Sequence, residues 1–158
     1  MDLIKHVTLE KTLVLDIETV PIVSSFQELS PRMQELWTEK SDRLSKFEKE
    51  DKPPGEMFER AGIYSEFGKI VCISAGFFRK EDDEYHFRVT SYYGDDEKDL
   101  LQRFGELLMS HFPSSNTFLC GHNSKEFDFP YISRRMVINQ VELPECLDVS
   151  GRKPWETG

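Results

Sequence analysis

Apolar and polar positions alternate through "LVLDIETVP", residues 13–21: Leu13, Leu15 and Ile17 fall on one face of an extended segment, Val14, Asp16 and Glu18 on the other. Apolar residues on both faces as far as Asp16 predict a central strand over about 11–17, covered on both sides and ended by Pro21. "GKIVCISAGFF" (68–78) and "YHFRVTSYY" (85–93) read as a second and a third strand, and the short link "RKEDDE" predicts an antiparallel hairpin. In "GDDEKDLLQRFGELLMSHF", Asp96 can cap a helix with Asp99 at its third position, and Leu100, Leu101, Phe104, Leu107 and Leu108 form a stripe of period 3.6. "NTFLCG" (116–121) is a fourth strand, and the strand–helix–strand order lays it parallel to an earlier one. In "HNSKEFDFPYISRRMVINQ", Pro130 is tolerated only in a first turn, so a helix begins at about Asp128 or Phe129 and places Asp128 at its N-terminus.

Residues 24–66 break this rhythm with a polar, charged stretch. Ser30-Pro31 is a helix start, Met33, Leu36, Trp37, Leu44 and Phe47 mark one face, and "DKPPGE" stops the helix. The stretch reads as a helical insertion between the first two strands, either a surface excursion or a lid over a site. With 158 residues, the expectation is one domain with a real core.

Twelve Phe, two Trp and five Tyr supply that core, and 31% charged residues solvate the remainder. No run approaches the roughly 20 apolar residues that span a bilayer, and "MDLIKHVTLEK" lacks the pattern of a signal peptide, so a cytoplasmic location is expected with no membrane partner. Cys72, Cys120 and Cys146 are odd in number and form no C-x-x-C pair, and they read as reduced core or near-core thiols. A formal charge of −9 argues against a broad basic face for nucleic acid, but divalent cations would reverse the field of an acidic pocket.

Residues two apart on a strand lie on the same face, roughly 7 Å apart at their α-carbons, so Asp16 and Glu18 can converge on one cation. Hard oxygen donors suit Mg²⁺ or Mn²⁺. Alone, such a pair is weak, since a solvated strand end accounts for it equally well. "GHNSKEFDFPYI" adds Asn123 and a Phe-Asp pair just after the fourth strand, at the carboxyl end of a strand expected beside the first, where open α/β sheets build their sites. His6, His86, His111 and His122 have no metal-like spacing, and the basic pairs Arg134-Arg135 and Arg152-Lys153 either meet phosphate or are simply solvated.

"LDIET" and "GHNSKEFD" resemble the first and second motifs of the DEDD-type 3′-to-5′ exonucleases of the ribonuclease-H-like superfamily. "DIETVP", "EFGKIVCIS" and "GHNSKEFDFPYISRR" together are similar to the exonuclease domain of family-B DNA polymerases and its stand-alone bacterial relatives, over about 12–21, 66–78 and 119–136. The resemblance implies an α/β, ribonuclease-H-like mixed sheet of about four strands with flanking helices. It implies two divalent cations, Mg or Mn, held by Asp16, Glu18 and Asp128 as the catalytic and metal-binding residues. Asn123 would steady the substrate or the motif, the backbone from Ile17 through Thr19 to Val20 would receive the terminal nucleotide, and Phe127 and Phe129 would stack on it or belong to the core. The implied substrate is the 3′ end of single-stranded DNA; RNA, or a non-catalytic module binding nucleic acid or a polymerase or repair partner, are the alternatives. A fourth acid is expected four residues after a Tyr or His on a later helix. Here the only Asp after Asp128 is Asp148, preceded at that spacing by Pro144. The third motif is absent, so the fold is expected to be incomplete at the C-terminus through shortening of the chain, with weak metal binding and slow or no hydrolysis.

Overall fold

The computed structural model describes residues 7–49, 52–113 and 117–151. Its regular elements are β1 (Thr12–Pro21), α1 (Pro31–Glu48), the short α2 (Pro54–Met57), β2 (Gly68–Glu81), β3 (Glu84–Tyr93), α3 (Glu97–His111), β4 (Phe118–Cys120) and α4 (Asp128–Ile138). The four strands form one sheet in the order β3-β2-β1-β4. The chain divides into two compact units, Met1–Glu18 with Ile70–Gly158, and Thr19–Lys69.

In the first unit, β2 and β3 pair antiparallel over ten residues each, from Cys72↔Tyr93 to Glu81↔Glu84. The strands run closer together than the six-residue link suggests, because Asp82 and Asp83 alone make the turn. Both have positive φ (50° and 65°), as the twist of a two-residue hairpin requires. β4 joins β1 in parallel, Thr12↔Phe118 to Val14↔Cys120, by the crossover through α3. The Asp96 carboxylate caps α3 by accepting from the backbone N–H groups of Lys98 and Asp99. Leu100, Leu101, Phe104 and Leu108 then pack with Tyr131, Ile132 and Met136 of α4 onto Leu13, Leu15, Ile17, Ile73 and Ala75 of the sheet. The opposite sheet face, including Tyr85, Phe87, Val89 and Tyr93 of β3, is exposed.

The second unit has its own core. Ser30 caps α1 through the N–H of Met33, Pro31 opens the helix, and Trp37 is fully buried against Phe58 and Phe67 in edge-to-face contacts, with ring centroids at 5.3 and 5.0 Å. The indole N–H donates to the Pro54 carbonyl at 2.8 Å, which satisfies its one polar group. Phe47 is 87% exposed, contrary to its expected place in the buried stripe. At 3.6 residues per turn it lies roughly 80° around the helix from Trp37. Ser41, one turn from Trp37, is buried instead, and Ser45 lies against the Met57 sulfur. α1 ends at Lys49, which adopts left-handed backbone geometry (φ 57°), before the Pro-Pro pair is reached.

The three cysteines are free thiols. Cys120 is exposed, which removes it from the expected core set, while burial pushes the half-buried Cys146 thiol up and keeps it protonated. Among the described residues no helix is long and apolar enough to cross a membrane.

Candidate active site

β1 presents Asp16 and Glu18 as alternate residues, flanking buried Ile17. Both carboxylates are exposed. Cover on the even face of β1 thins along the strand: Thr12 is buried, Val14 half-buried, and Asp16 and Glu18 are exposed, while Leu13, Leu15 and Ile17 feed the core.

Asp128 has the opposite environment. It is the first residue of α4 and only 3% exposed. Among the described residues, its carboxylate has no hydrogen-bond donor and no cationic partner.

The loop from β4 to α4 delivers Asp128. Asn123 has positive φ (56°), and its carbonyl accepts from the N–H groups of Glu126 and Phe127, both at 3.1 Å. The Ser124 carbonyl accepts from Phe129 N–H at 2.9 Å, so the loop runs without a break into the first turn of α4. The Asn123 side chain is exposed. Because β4 pairs with β1 through Val14↔Cys120, this loop leaves the sheet beside the carboxyl half of β1, where Asp16 and Glu18 stand.

Carboxylate oxygens are the donor type that a hard divalent cation takes. The side chains are not closed into a ready cage: among the described residues no group of three His, Cys, Asp or Glu is arranged to hold a metal ion. Thus β1 brings Asp16 and Glu18 to one strand face, and the adjacent loop–helix junction carries Asp128.

The remaining sequence candidates divide. Ile17 is buried, which leaves only its backbone to meet a ligand, and Thr19 is half-buried. Phe127 packs its ring on Tyr131, with centroids at 5.4 Å, and both Phe127 and Phe129 lie against the core, so the core alternative describes them better than an open stacking platform. His86, His111 and His122 are exposed, while His6, Arg152 and Lys153 lie outside the described residues. Arg134 is exposed. Arg135, expected to meet phosphate or solvent, is instead 3% exposed and paired with Glu97. The Glu97 carboxylate accepts from Arg135 Nε at 2.9 Å and from its Nη2, from Ile70 N–H at 2.7 Å and from Asn139 Nδ2 at 3.0 Å. This network ties the N-terminus of α3 and the start of β2 to the middle of α4. The signal for it was the stripe Asp128, Tyr131, Ile132, Arg135, Met136, in which Arg135 occupies a buried position.

A mixed four-stranded sheet with flanking helices and acids at the carboxyl end of the first strand is the ribonuclease-H-like α/β architecture. The family described as DNA polymerase family B, exonuclease domain, matches residues 66–154, more than half of the chain. The chain belongs to this family, and with it to the DEDD-type exonucleases, hydrolases that act on nucleic acid and are generally dependent on divalent metal. The matched residues include Asn123 and Asp128, whereas Asp16 and Glu18 precede them. No curated protein and no solved structure gives a significant match.

Proposed function

We propose that this chain is a metal-dependent 3′-to-5′ exonuclease for the ends of single-stranded DNA. Asp16, Glu18 and Asp128 would hold Mg²⁺ or Mn²⁺, and the cations, when bound, would supply the positive charge that activates water and stabilises the leaving 3′ oxygen. The observation that carries the proposal is the match of residues 66–154 to the family-B polymerase exonuclease domain, with Asp128 opening α4 just after β4, the strand paired with the one that bears Asp16 and Glu18. The exposed Asp16 and Glu18 bind from β1, on the face open to a polyanionic strand once cations offset their charge. Asn123, exposed in the connecting loop, orients the strand, and the backbone at Ile17 and Thr19 receives the terminal nucleotide.

Asp148 follows a 3-10 helix (Glu145–Leu147), and its carboxylate accepts from Ser150 N–H at 2.8 Å.

Matched single-stranded DNA and RNA oligonucleotides, labelled at the 5′ end and incubated with Mg²⁺ or Mn²⁺, test the proposal. Chelator-sensitive shortening of the DNA from its 3′ end is expected. Preferential shortening of the RNA would reassign the chain to exoribonucleases. An intact oligonucleotide retained in a gel shift would point to a binding module.

A further inference from the structure

On the basis of the exonuclease function proposed above, we infer that Gly121 and Ser124 are positioning residues: the close approach of Gly121 to the Leu15 carbonyl and to the Ser124 side chain sets where α4 presents Asp128 relative to Asp16. A Cβ at Gly121 would stand 2.6 Å from the Leu15 carbonyl oxygen and 2.9 Å from the Ser124 Cβ, and would overlap the Ser124 hydroxyl. No side chain fits there without moving backbone. Leu15 is the residue before Asp16, and Ser124 lies one turn before Asp128, so the contact joins the two acid-bearing segments directly.

The surroundings leave little room for adjustment. Ser124 is 2% exposed, and its hydroxyl has no hydrogen-bond partner. A buried hydroxyl without a partner is costly relative to a plain methyl group, so its hydrogen bonding does not explain the residue. Its small size does, since a larger side chain would push the loop off β1. Backbone hydrogen bonds carry any such displacement onward: Asn123 O to the N–H groups of Glu126 and Phe127, Ser124 O to Phe129 N–H, and Phe127 O to Tyr131 N–H at 2.9 Å. The loop and the first turn of α4 thus move together, and Asp128 moves with them.

Gly121→Ala in the full chain tests this, with Gly121→Ala/Ser124→Gly as the relief variant, because the second change removes two of the three contacts. Amide exchange of Phe127 and Phe129 is followed in the metal-free protein, and Mn²⁺ binding is followed by its paramagnetic resonance. Gly121→Ala should raise exchange at both amides and weaken Mn²⁺ about tenfold or more, as loss of a supporting contact does at metal sites. Where cleavage is measurable, kcat should fall by about 100-fold, the cost of misplacing a group by roughly 1 Å, with KM for the oligonucleotide unchanged. The relief variant should recover part of each effect. Parental exchange rates and parental Mn²⁺ affinity in Gly121→Ala would overturn the inference, as would global loss of protection in place of local loss. If the parent itself takes up no Mn²⁺, the metal-dependent function fails, while the exchange comparison still decides the positioning role.

Discussion

Asp16→Ala should reduce cleavage of single-stranded DNA by about 100- to 1000-fold, the range lost when one preorganised electrostatic partner is removed from a reacting phosphate or carbonyl. The side chain is exposed and takes no part in the core, so its truncation costs stability within about 0.5 kcal/mol. The melting temperature of the variant should therefore match the parent while turnover vanishes into background. That split separates a chemical role from a structural one. A variant that cleaves at the parental rate would remove Asp16 from the reaction, and one that unfolds would show the strand end to be structural after all.

Glu97 carries the largest expected effect on stability. Its carboxylate meets three separate parts of the first unit: the Ile70 amide at the start of β2, Arg135, and Asn139 at the end of α4. Glu97→Gln keeps the shape but removes the charge that Arg135, 3% exposed, meets through two of its guanidinium nitrogens. Breaking a buried pair in this way costs about 3–5 kcal/mol, equivalent to a fall in melting temperature of about 6–20 °C for a chain of this size. Glu97→Gln/Arg135→Met, which removes both members of the buried pair, should cost less than Glu97→Gln alone, because replacing a whole buried ion pair is milder than breaking it. Thermal denaturation of both variants checks this, and equal losses in the two would show that packing, not charge, dominates the site.

The elements were largely legible because each carries a local signal that its tertiary setting agrees with. Pro130 confines the start of α4 to Asp128, Asp96 caps α3, and the alternation through β1 places Asp16 and Glu18 on one face. Burial was less legible, since it depends on what lies across from a residue. Glu97, in the charged run "GDDEKD", is drawn inward because Arg135 faces it from an element 38 residues away. Asp16 and Glu18, in the most apolar strand, are exposed because the core takes the alternate residues Leu13, Leu15 and Ile17. Phe47 shows the limit of a stripe read at spacings of three, four and seven: its drift around α1 carries it off the packed face. At the candidate site, Asp16, Glu18 and Asp128 stand out in two short motifs, whereas the difference between two exposed residues and one nearly buried one is not legible there. Nor is the close approach of the β4–α4 loop to the Leu15 carbonyl, which leaves no room for a side chain at Gly121.

Mn²⁺ titration of the parent chain and of Asp16→Asn, Glu18→Gln and Asp128→Asn, each without substrate, tests most directly whether the three carboxylates act together. Saturable binding in the parent, weakened in all three variants by about tenfold or more, is the expected result. Binding that persists unchanged when Asp128 is neutralised would contradict a shared metal centre.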